Sequence, residues 1–373
     1  MIVFVARVRI TSTITIHEHA LSRIDNTMIR NAMKFGAHYL PTYISDLDGP
    51  LPEFYQKMFL QMEELDRLGY DHIWVTEHHF AMYGGTLPHP PTFLAALART
   101  TSQVRLGVAV SVLALHNPLD VAESYAMVDV ISNGRLEFGI GKGSEAHEYR
   151  KAGVDQQQAA GRMVESMEVI RQAWSDQPVK FSGEFFHYDN VPVFPKPAQR
   201  PHPPIWVGCA RSEESFRWAG ENGFHLMTLP YLYRELGVLP GFVKSYRRAL
   251  AHAGHDFTRT DVLGKFHIYV SGSLNQAMEE AAPYLANYSD VHRGADLARK
   301  ERGLLVMRDI RTQLAEGFVI AGDPQRCVDT IQRWREEVGL TVISGTFQFG
   351  GMPHELALKN IRLFAERVMP QFK

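Results

Sequence analysis

The sequence predicts an α/β protein whose main part is a single closed (β/α)8 barrel with insertions. Short β-branched or apolar runs alternate with longer amphipathic stretches from Lys34 onward, and eight such pairs can be counted. Strands that alternate with helices are typical of a parallel sheet, and eight units are the number that closes a barrel. A length of 373 residues would also accommodate two domains, but the strand count favours one barrel.

The predicted elements follow one another along the chain without an internal sequence repeat. Apolar and β-branched runs predict strands at 34–39, 72–77, 105–112, 135–141, 204–208, 223–229, 263–271 and 341–347. Amphipathic stretches predict helices at 52–68, 91–101, 118–131, 159–174, 212–221, 241–253, 274–288 and 324–338. Capping side chains stand before three of the helix starts, at Asn117, Ser212 and Asp323.

Three stretches interrupt the alternation. In residues 1–32 an apolar run precedes its arginines, which is the wrong order for a signal peptide, so we expect a disordered or non-core extension, or else an added edge strand. Residues 181–203 are rich in proline and aromatics and predict an excursion that contains a small hairpin. The charged residues 289–317 predict a solvated helix pair or a lid near the barrel mouth. The barrel domain is therefore placed at 33–373.

Composition excludes several classes of function. Lysine and arginine total 39 against 41 aspartates and glutamates, so no basic field exists to gather the phosphates of nucleic acid. The two cysteines, Cys209 and Cys327, are far apart and fit neither a disulfide framework nor a zinc finger, which favours a reducing cytoplasm. No run approaches the roughly 20 apolar residues that a membrane helix needs. We therefore expect a cytoplasmic protein with no nucleic-acid or membrane partner.

Chemistry in a parallel barrel gathers where the strands end, and the second predicted strand ends in Glu77-His78-His79-Phe80. His38, His89 and His116 also lie at predicted strand ends, but no HxH or HxxxH spacing links these histidines. We therefore predict no metal and assign His78 and His79 to hydrogen bonding or general base catalysis, with a purely structural role left open for His79.

The fourth predicted strand ends in Gly139-Ile140-Gly141-Lys142-Gly143. Alternate glycines let a flat ring or a phosphate approach the backbone, although tight packing within the barrel would explain them too. The pattern is neither GxGxxG nor a phosphate-binding loop, but a lysine between two glycines at a strand end can pair with a phosphate. After the fifth strand, Arg211, Ser212 and Ser215 at a helix start fit an anion site, and an ordinary cap at Ser212 is compatible with it.

Taken together, these motifs resemble the bacterial-luciferase-like, flavin-dependent monooxygenases over residues 33–372. The resemblance rests on the order and spacing of Glu77-His78-His79-Phe80, Leu106-Gly107 through His116-Asn117-Pro118, Ser132-Asn133-Gly134-Arg135 with Phe138 to Gly143, Arg162 with Glu165, Pro203-Pro204-Ile205-Trp206, Gly322-Asp323-Pro324 and Gly350-Gly351-Met352-Pro353.

The resemblance implies a TIM barrel that binds reduced FMN at its mouth, with dioxygen adding at the flavin 4a carbon to give a 4a-peroxyflavin. It implies a separate NAD(P)H:flavin reductase and a homodimer. His78 matches the catalytic histidine of the family. The positions that match cofactor-binding ones are Val110 and Ser111 at a bulge that often has a non-proline cis bond, Gly141, Lys142 in place of an arginine, and Ala210, Arg211, Ser212 and Ser215 at the phosphate.

The sequence departs from the pattern of true luciferases at two positions, and two alternative functions stay open. Gly141 replaces a cysteine of true luciferases and Glu145 adds a charge to the next loop, so light emission is not expected. A deazaflavin-dependent dehydrogenase or reductase could use the same barrel, and a non-catalytic flavin-binding subunit is the other alternative, which the intact His78 and Lys142 oppose. Apolar side chains near the mouth favour an apolar substrate such as an aldehyde, terpenoid, alkane or aromatic compound; they are Phe80, Met82, Tyr83, Met227 and Tyr231.

Overall fold

A computed structural model describes residues 32–82, 84–232, 238–295 and 310–373. Its strands are β1 (Lys34–Tyr39), β2 (His72–Val75), β3 (Arg105–Val112), β4 (Leu136–Gly141), β5 (Val179–Ser182), β6 (His187–Val191), β7 (Ile205–Cys209), β8 (His225–Thr228), β9 (Val262–Val270), β10 (Val319–Gly322) and β11 (Val342–Thr346). Eight of them close a parallel barrel in the order β9, β11, β1, β2, β3, β4, β7, β8, because β8 pairs again with β9. The predicted (β/α)8 class is confirmed.

Helices cover the outside of the barrel. They are α1 (Ser45–Asp48), α2 (Leu51–Arg67), α3 (Pro90–Thr100), α4 (Pro118–Ile131), α5 (Ala146–Ala152), α6 (Ala159–Trp174), α7 (Glu213–Glu221), α8 (Val238–His252), α9 (Leu274–Ala295), α10 (Ile310–Ala315), α11 (Pro324–Val338) and α12 (His354–Arg367). The three predicted caps are present: Asn117, Ser212 and Asp323 each accept a hydrogen bond from a backbone N–H of the first turn. None of the described helices is both long enough and apolar enough to cross a membrane.

The strand β10 was missed in the sequence count. It pairs with residues 267–270 of β9, whereas β8 pairs with residues 262–264. Residues 263 and 267 of β9 also pair with β11, so β8 and β10 share the opposite edge of this nine-residue strand. A long strand can hold two partners along one edge, and β10 has only four residues before α11 begins, which is why no separate strand was predicted there.

The excursion between α6 and β7 contains an antiparallel hairpin of β5 and β6. Glu165 on α6 anchors its turn, because the carboxylate accepts hydrogen bonds from the backbone N–H groups of Glu184, Phe185 and Phe186 at 2.6, 2.9 and 3.2 Å. The guanidinium of Arg162 lies over two aromatic rings of the same turn. The hairpin is therefore fixed to the outside of the barrel and away from its axis.

Two sequence predictions fall outside the described residues. The interpretation of 1–32 as an extension concerns residues of which only Ala32 is described. Of the charged segment 289–317, α9 covers the first part and α10 lies near its end, while 296–309 are outside the described part of the chain. The lid therefore stays a prediction.

Alternation along the strands divides the barrel into an outer and an inner core. Phe266 and Ile268 of β9 belong to the large cluster between sheet and helices, whereas Leu263 belongs to an inner cluster. That inner cluster also contains Trp74 and Trp206, whose rings meet edge to face at 5.1 Å. These large side chains fill the interior of the barrel. The polar groups that follow them in sequence therefore lie closer to the carboxyl ends of the strands, where the candidate site is.

Candidate active site

His78 and His79 follow β2, and their rings contact two different carboxylates. Nδ1 of His78 lies 3.0 Å from Oε1 of Glu148, whereas Nε2 of His79 lies 3.1 Å from Oε1 of Glu77. Both carboxylates are buried and both rings are partly exposed. Neighbouring side chains in extended backbone point to opposite sides, so each histidine obtains its own acid.

Glu77 is the centre of a hydrogen-bonded cluster. Its Oε1 is also 2.6 Å from Nε2 of His116, and its Oε2 accepts a hydrogen bond of 3.3 Å from the hydroxyl of Ser111. Burial by itself raises the pKa of Glu77, but the hydrogen bonds from His116 and His79 outweigh it and lower the pKa to about 2. Burial likewise lowers the pKa of His116, and the bond to Glu77 reverses this, so that its pKa is raised. The pair therefore favours imidazolium and carboxylate.

The same three residues are the one set of metal-ligand type found among the described residues. One donor atom each from Glu77, His79 and His116 lies within 4.8 Å of the other two. The sequence analysis predicted no metal because no short spacing links these residues; the strand ends bring them together instead. The 2.6 Å between Nε2 of His116 and Oε1 of Glu77 is the length of a charge-assisted hydrogen bond. Ligands of one tetrahedral ion lie farther apart, since each is about 2 Å from the metal.

The short helix α5 holds the segment that follows β2. Glu148 accepts a hydrogen bond from the backbone N–H of His79 at 2.8 Å, in addition to its contact with the His78 ring. Nε2 of His147 lies 3.2 Å from the carbonyl oxygen of His79, and Nζ of Lys151 donates to the carbonyl of Phe80 at 3.0 Å. Three consecutive residues are thus positioned by one helix that the sequence analysis did not predict.

Gly84 packs directly on the ring of His78. A Cβ atom at this position would lie 2.6 Å from Cδ2 of His78, which is closer than real contacts allow. The backbone at Gly84 also has a φ of 66°, a conformation that favours glycine. Glycine at this position therefore lets the ring stay where Glu148 holds it.

The predicted bulge lies on β3, between Val108 and Ser111, and the Ala109–Val110 peptide bond is cis. Val110 explains the glycines of the neighbouring strands: a Cβ at Gly141 would lie 2.5 Å from Cγ2 of Val110, and one at Gly208 would lie 3.0 Å from its Cγ1. A Cβ at Gly139 would meet the backbone of β3. Tight packing within the barrel therefore by itself requires glycine at Gly139 and Gly141, while the approach of a cofactor to Gly141 stays a prediction.

Lys142 and the start of α7 lie at one end of the barrel. Lys142 directly follows β4 and Arg211 follows β7, and these strands are paired neighbours, so both exposed cations lie at the same edge. Ser212 caps α7 by accepting a 3.4 Å hydrogen bond from the N–H of Ser215, whose hydroxyl donates to the Ser212 carbonyl at 2.6 Å. The cap and the anion-site interpretations are compatible, because a helix N-terminus also attracts anions.

The apolar residues expected near the mouth divide into two groups. Phe80 and Met82 are more than half exposed, whereas Met227 belongs to the inner cluster and Tyr231 is buried. Tyr83 is outside the described residues. Two further residues were missed by the sequence analysis: Glu148, described above, and Lys265, which is buried inside the barrel.

Comparison with known proteins identifies the family. The model of the luciferase-like monooxygenases matches residues 39–341. The chain belongs to the luciferase-like monooxygenase family. The resemblance to this family that the sequence motifs indicated is therefore confirmed.

Individual curated proteins match parts of the chain. The oxygenase component of the flavin-dependent trigonelline monooxygenase of Acinetobacter baylyi is 33% identical over 243 residues, which are 64% of each protein. The protein y4wF of Sinorhizobium fredii is 42% identical over 161 residues, which are 43% of this chain and 46% of that protein. The matches thus span less than two thirds of these relatives.

Solved structures of monooxygenases share the fold over almost the whole chain. The monooxygenase RslO1 from Streptomyces bottropensis superposes with a TM-score of 0.83 and 29% identity, covering 91% of this chain and all of that one. The FMN complex of the oxygenating constituent of 3,6-diketocamphane monooxygenase from Pseudomonas putida has a TM-score of 0.77 at 18% identity, with coverage of 92% and 99%. The second likeness concerns the fold alone.

Proposed function

We propose that this protein is the oxygenase of a two-component system that uses reduced FMN and dioxygen to oxidise a small organic substrate with an apolar body. One observation carries the proposal: Glu77 contacts both the histidine motif after β2 and Ser111 in the bulge of β3. One carboxylate thus joins His79, the neighbour of His78, to the segment expected to face the flavin, which supports a single site.

The residues present are compatible with FMN. Lys142, Arg211 and the first turn of α7 offer two exposed cations and a helix N-terminus to a phosphate. Glu213 and Glu214 lie in the same turn and oppose an anion, so the two cations would be needed. Val110 is half-buried beside the exposed Gly208, which leaves an apolar surface for a flat ring; Ser111, Gly141 and Ala210 adjoin it. Bound reduced FMN would supply the electrons that activate dioxygen.

His78 would be the residue that transfers a proton during the reaction. Where Nδ1 donates to the Glu148 carboxylate, the neutral ring carries its lone pair on Nε2, and that atom can accept a proton and return it. Glu148 thereby fixes both the tautomer and the direction of the ring. His79 would act through Glu77 as a positioning residue.

The partners follow from the same proposal. A relative whose name specifies an oxygenase component supports a separate NAD(P)H:flavin reductase as the source of reduced FMN. A homodimer and a cytoplasmic location remain predictions from the sequence.

The test combines reduced FMN, dioxygen and a panel of aldehydes, alkanes, terpenoids and aromatic compounds with the wild type and His78→Ala. We expect at least one oxygenated product, and in His78→Ala a loss of turnover of at least about 100-fold while FMN still binds. His252→Ala, an exposed histidine on α8, is the matched control and should keep full turnover.

Two results would count against the proposal. Preferential binding of a deazaflavin without consumption of dioxygen would favour the dehydrogenase or reductase alternative. Unchanged turnover in His78→Ala would remove His78 from its role.

A further inference from the structure

Polar side chains line the inside of the barrel on the three adjacent strands β1, β9 and β11. Phe266 and Ile268 pack toward the helices, so Lys265 between Leu263 and His267 points to the interior. On β11, Ser344 pairs with Lys265 in the sheet register, and Thr346 pairs with His267. These neighbours therefore lie side by side inside the barrel.

Lys265 is a cation without a counterion. It is only 2% exposed, and among the described residues no carboxylate offsets the effect of burial on its charge. Its near neighbours are the rings of Tyr231 and Tyr288, whose centroids lie 5.2 and 5.9 Å from Nζ. Ring faces attract a cation but do not replace its hydrogen bonds. Burial accordingly lowers the pKa of Lys265 to about 7.

Three further polar atoms next to Lys265 are buried without a hydrogen-bond partner in the described structure. They are Nδ1 of His38, Oγ of Ser344 and Oγ1 of Thr346. Leaving such an atom unpaired costs folding free energy, and most buried polar atoms in proteins are paired. Three such atoms beside a buried lysine without a counterion therefore indicate a missing partner, which would be a bound ligand.

The group lies beside the candidate catalytic histidine. Burial lowers the pKa of His38 well below its usual value, and the charges of Lys265 and His78 lower it further, so both groups are close to this ring. A ligand held by Lys265 would thus extend toward His78, which is where the proposed reaction takes place. This places the group in the substrate site.

We propose that Lys265, His38, Ser344 and Thr346 bind an anionic oxygen group, a carboxylate or a phenolate, of an aromatic substrate. The inference rests on the proposed function and narrows its substrate class. An ammonium, an imidazole and two hydroxyls together offer several hydrogen-bond donors and one positive charge, which matches an anionic oxygen. The rings of Tyr231, Tyr288 and Phe349 around Lys265 and His267 favour a flat aromatic body.

Binding measured by calorimetry on the full chain tests this inference without flavin or dioxygen. The probes are benzoate with its neutral isostere benzamide, and 4-nitrophenolate with nitrobenzene. We expect at least one anion to bind at least about tenfold more tightly than its neutral partner. The two pairs distinguish a carboxylate from a phenolate.

Lys265→Met removes the charge and keeps much of the side-chain volume. It should abolish the preference for the anion, leave binding of the neutral probe unchanged and melt no lower than the wild type, because a buried charge is removed. Lys180→Met, at an exposed lysine on β5, should keep the preference. A second variant, Ser344→Ala with Thr346→Val, should weaken binding of the anion at least about threefold.

Equal affinity for anionic and neutral probes, or a preference that survives Lys265→Met, would overturn the inference. Its failure differs from that of the proposed function. Oxygenation of neutral substrates without any anion preference would contradict this inference alone, whereas anion binding without consumption of dioxygen would contradict the proposed function alone.

Discussion

Replacing Glu77 with glutamine would remove the negative charge from the centre of the cluster formed with His79, His116 and Ser111. The geometry would otherwise be kept, since glutamine has the same shape. The hydrogen bonds from two histidines lower the pKa of Glu77 from 4.5 to about 2 against the opposing effect of its burial. A shift of that size corresponds to about 3 kcal/mol of folding stability. For a chain of this length, such a loss lowers the melting temperature by about 4 °C.

The effect of Glu77→Gln should depend on pH in a defined direction. A carboxyl whose pKa is lowered by folding stabilises the protein above its unfolded value of 4.5, and this contribution is lost as pH falls toward about 2. Folding raises the pKa of His116, so its contribution to stability is complete below pH 6.5 and is lost as the pH rises through its pKa in the folded protein. The free energy of unfolding of the wild type should therefore exceed that of the variant most between about pH 4.5 and 6.5.

Urea unfolding at several pH values between 4 and 8 would measure this difference. Glu168→Gln, at an exposed carboxylate on α6, is the control and should differ from the wild type by less than about 0.5 kcal/mol. A cost of less than about 1 kcal/mol for Glu77→Gln at pH 6, or a cost that does not fall at pH 8, would refute the assigned hydrogen bonding.

Two further predictions concern the site. Glu148→Gln should lower kcat about 10- to 100-fold with little change in KM and should alter the pH profile of kcat. The reason is that the amide cannot hold the His78 ring as the carboxylate does. An unchanged kcat in steady-state assays would contradict the role of Glu148. Benzoate affinity should be constant below about pH 6 and fall about tenfold per pH unit above 7, because the pKa of Lys265 is about 7 and the bound anion requires the protonated form. The titratable groups that face Lys265 are His38, Tyr231, His267 and Tyr288; the pKa of His38 is lowered, so this ring stays neutral, and the pKa of Tyr231 is raised. A benzoate affinity that does not change between pH 6 and 9 would exclude Lys265 as the cation.

The barrel could be predicted because alternation and capping are local properties of the sequence. The bounds of β1 and β3, and those of α4, α6 and α11, agree with the predictions at both ends. In contrast, β10 depends on a free edge of β9, which only the assembled sheet provides. The helix α5 has seven residues, too few for an apolar period to repeat, so it was missed.

The site could be predicted only where its residues are neighbours in sequence. The motif Glu77-His78-His79 was recognised as a unit, but the distance of 70 residues between His78 and Glu148 hid their contact. For Lys265 the reason is different. Alternate polar positions in a strand usually face solvent, and the sequence of β9 does not reveal that its inner face is enclosed by the barrel.

The helix α5 connects two parts of the site that lie after different strands. Tyr149 donates its hydroxyl proton to the carbonyl of Lys142, while the preceding residue, Glu148, holds the ring of His78. A phosphate bound by Lys142 would thus act on the same short helix that orients the His78 ring. Thermodynamic linkage makes such coupling reciprocal: if the anchored phosphate steadies α5, then a correctly oriented His78 ring must strengthen retention of the phosphate to the same degree. The affinity for the cofactor would then report on the order of the His78 ring before any substrate binds.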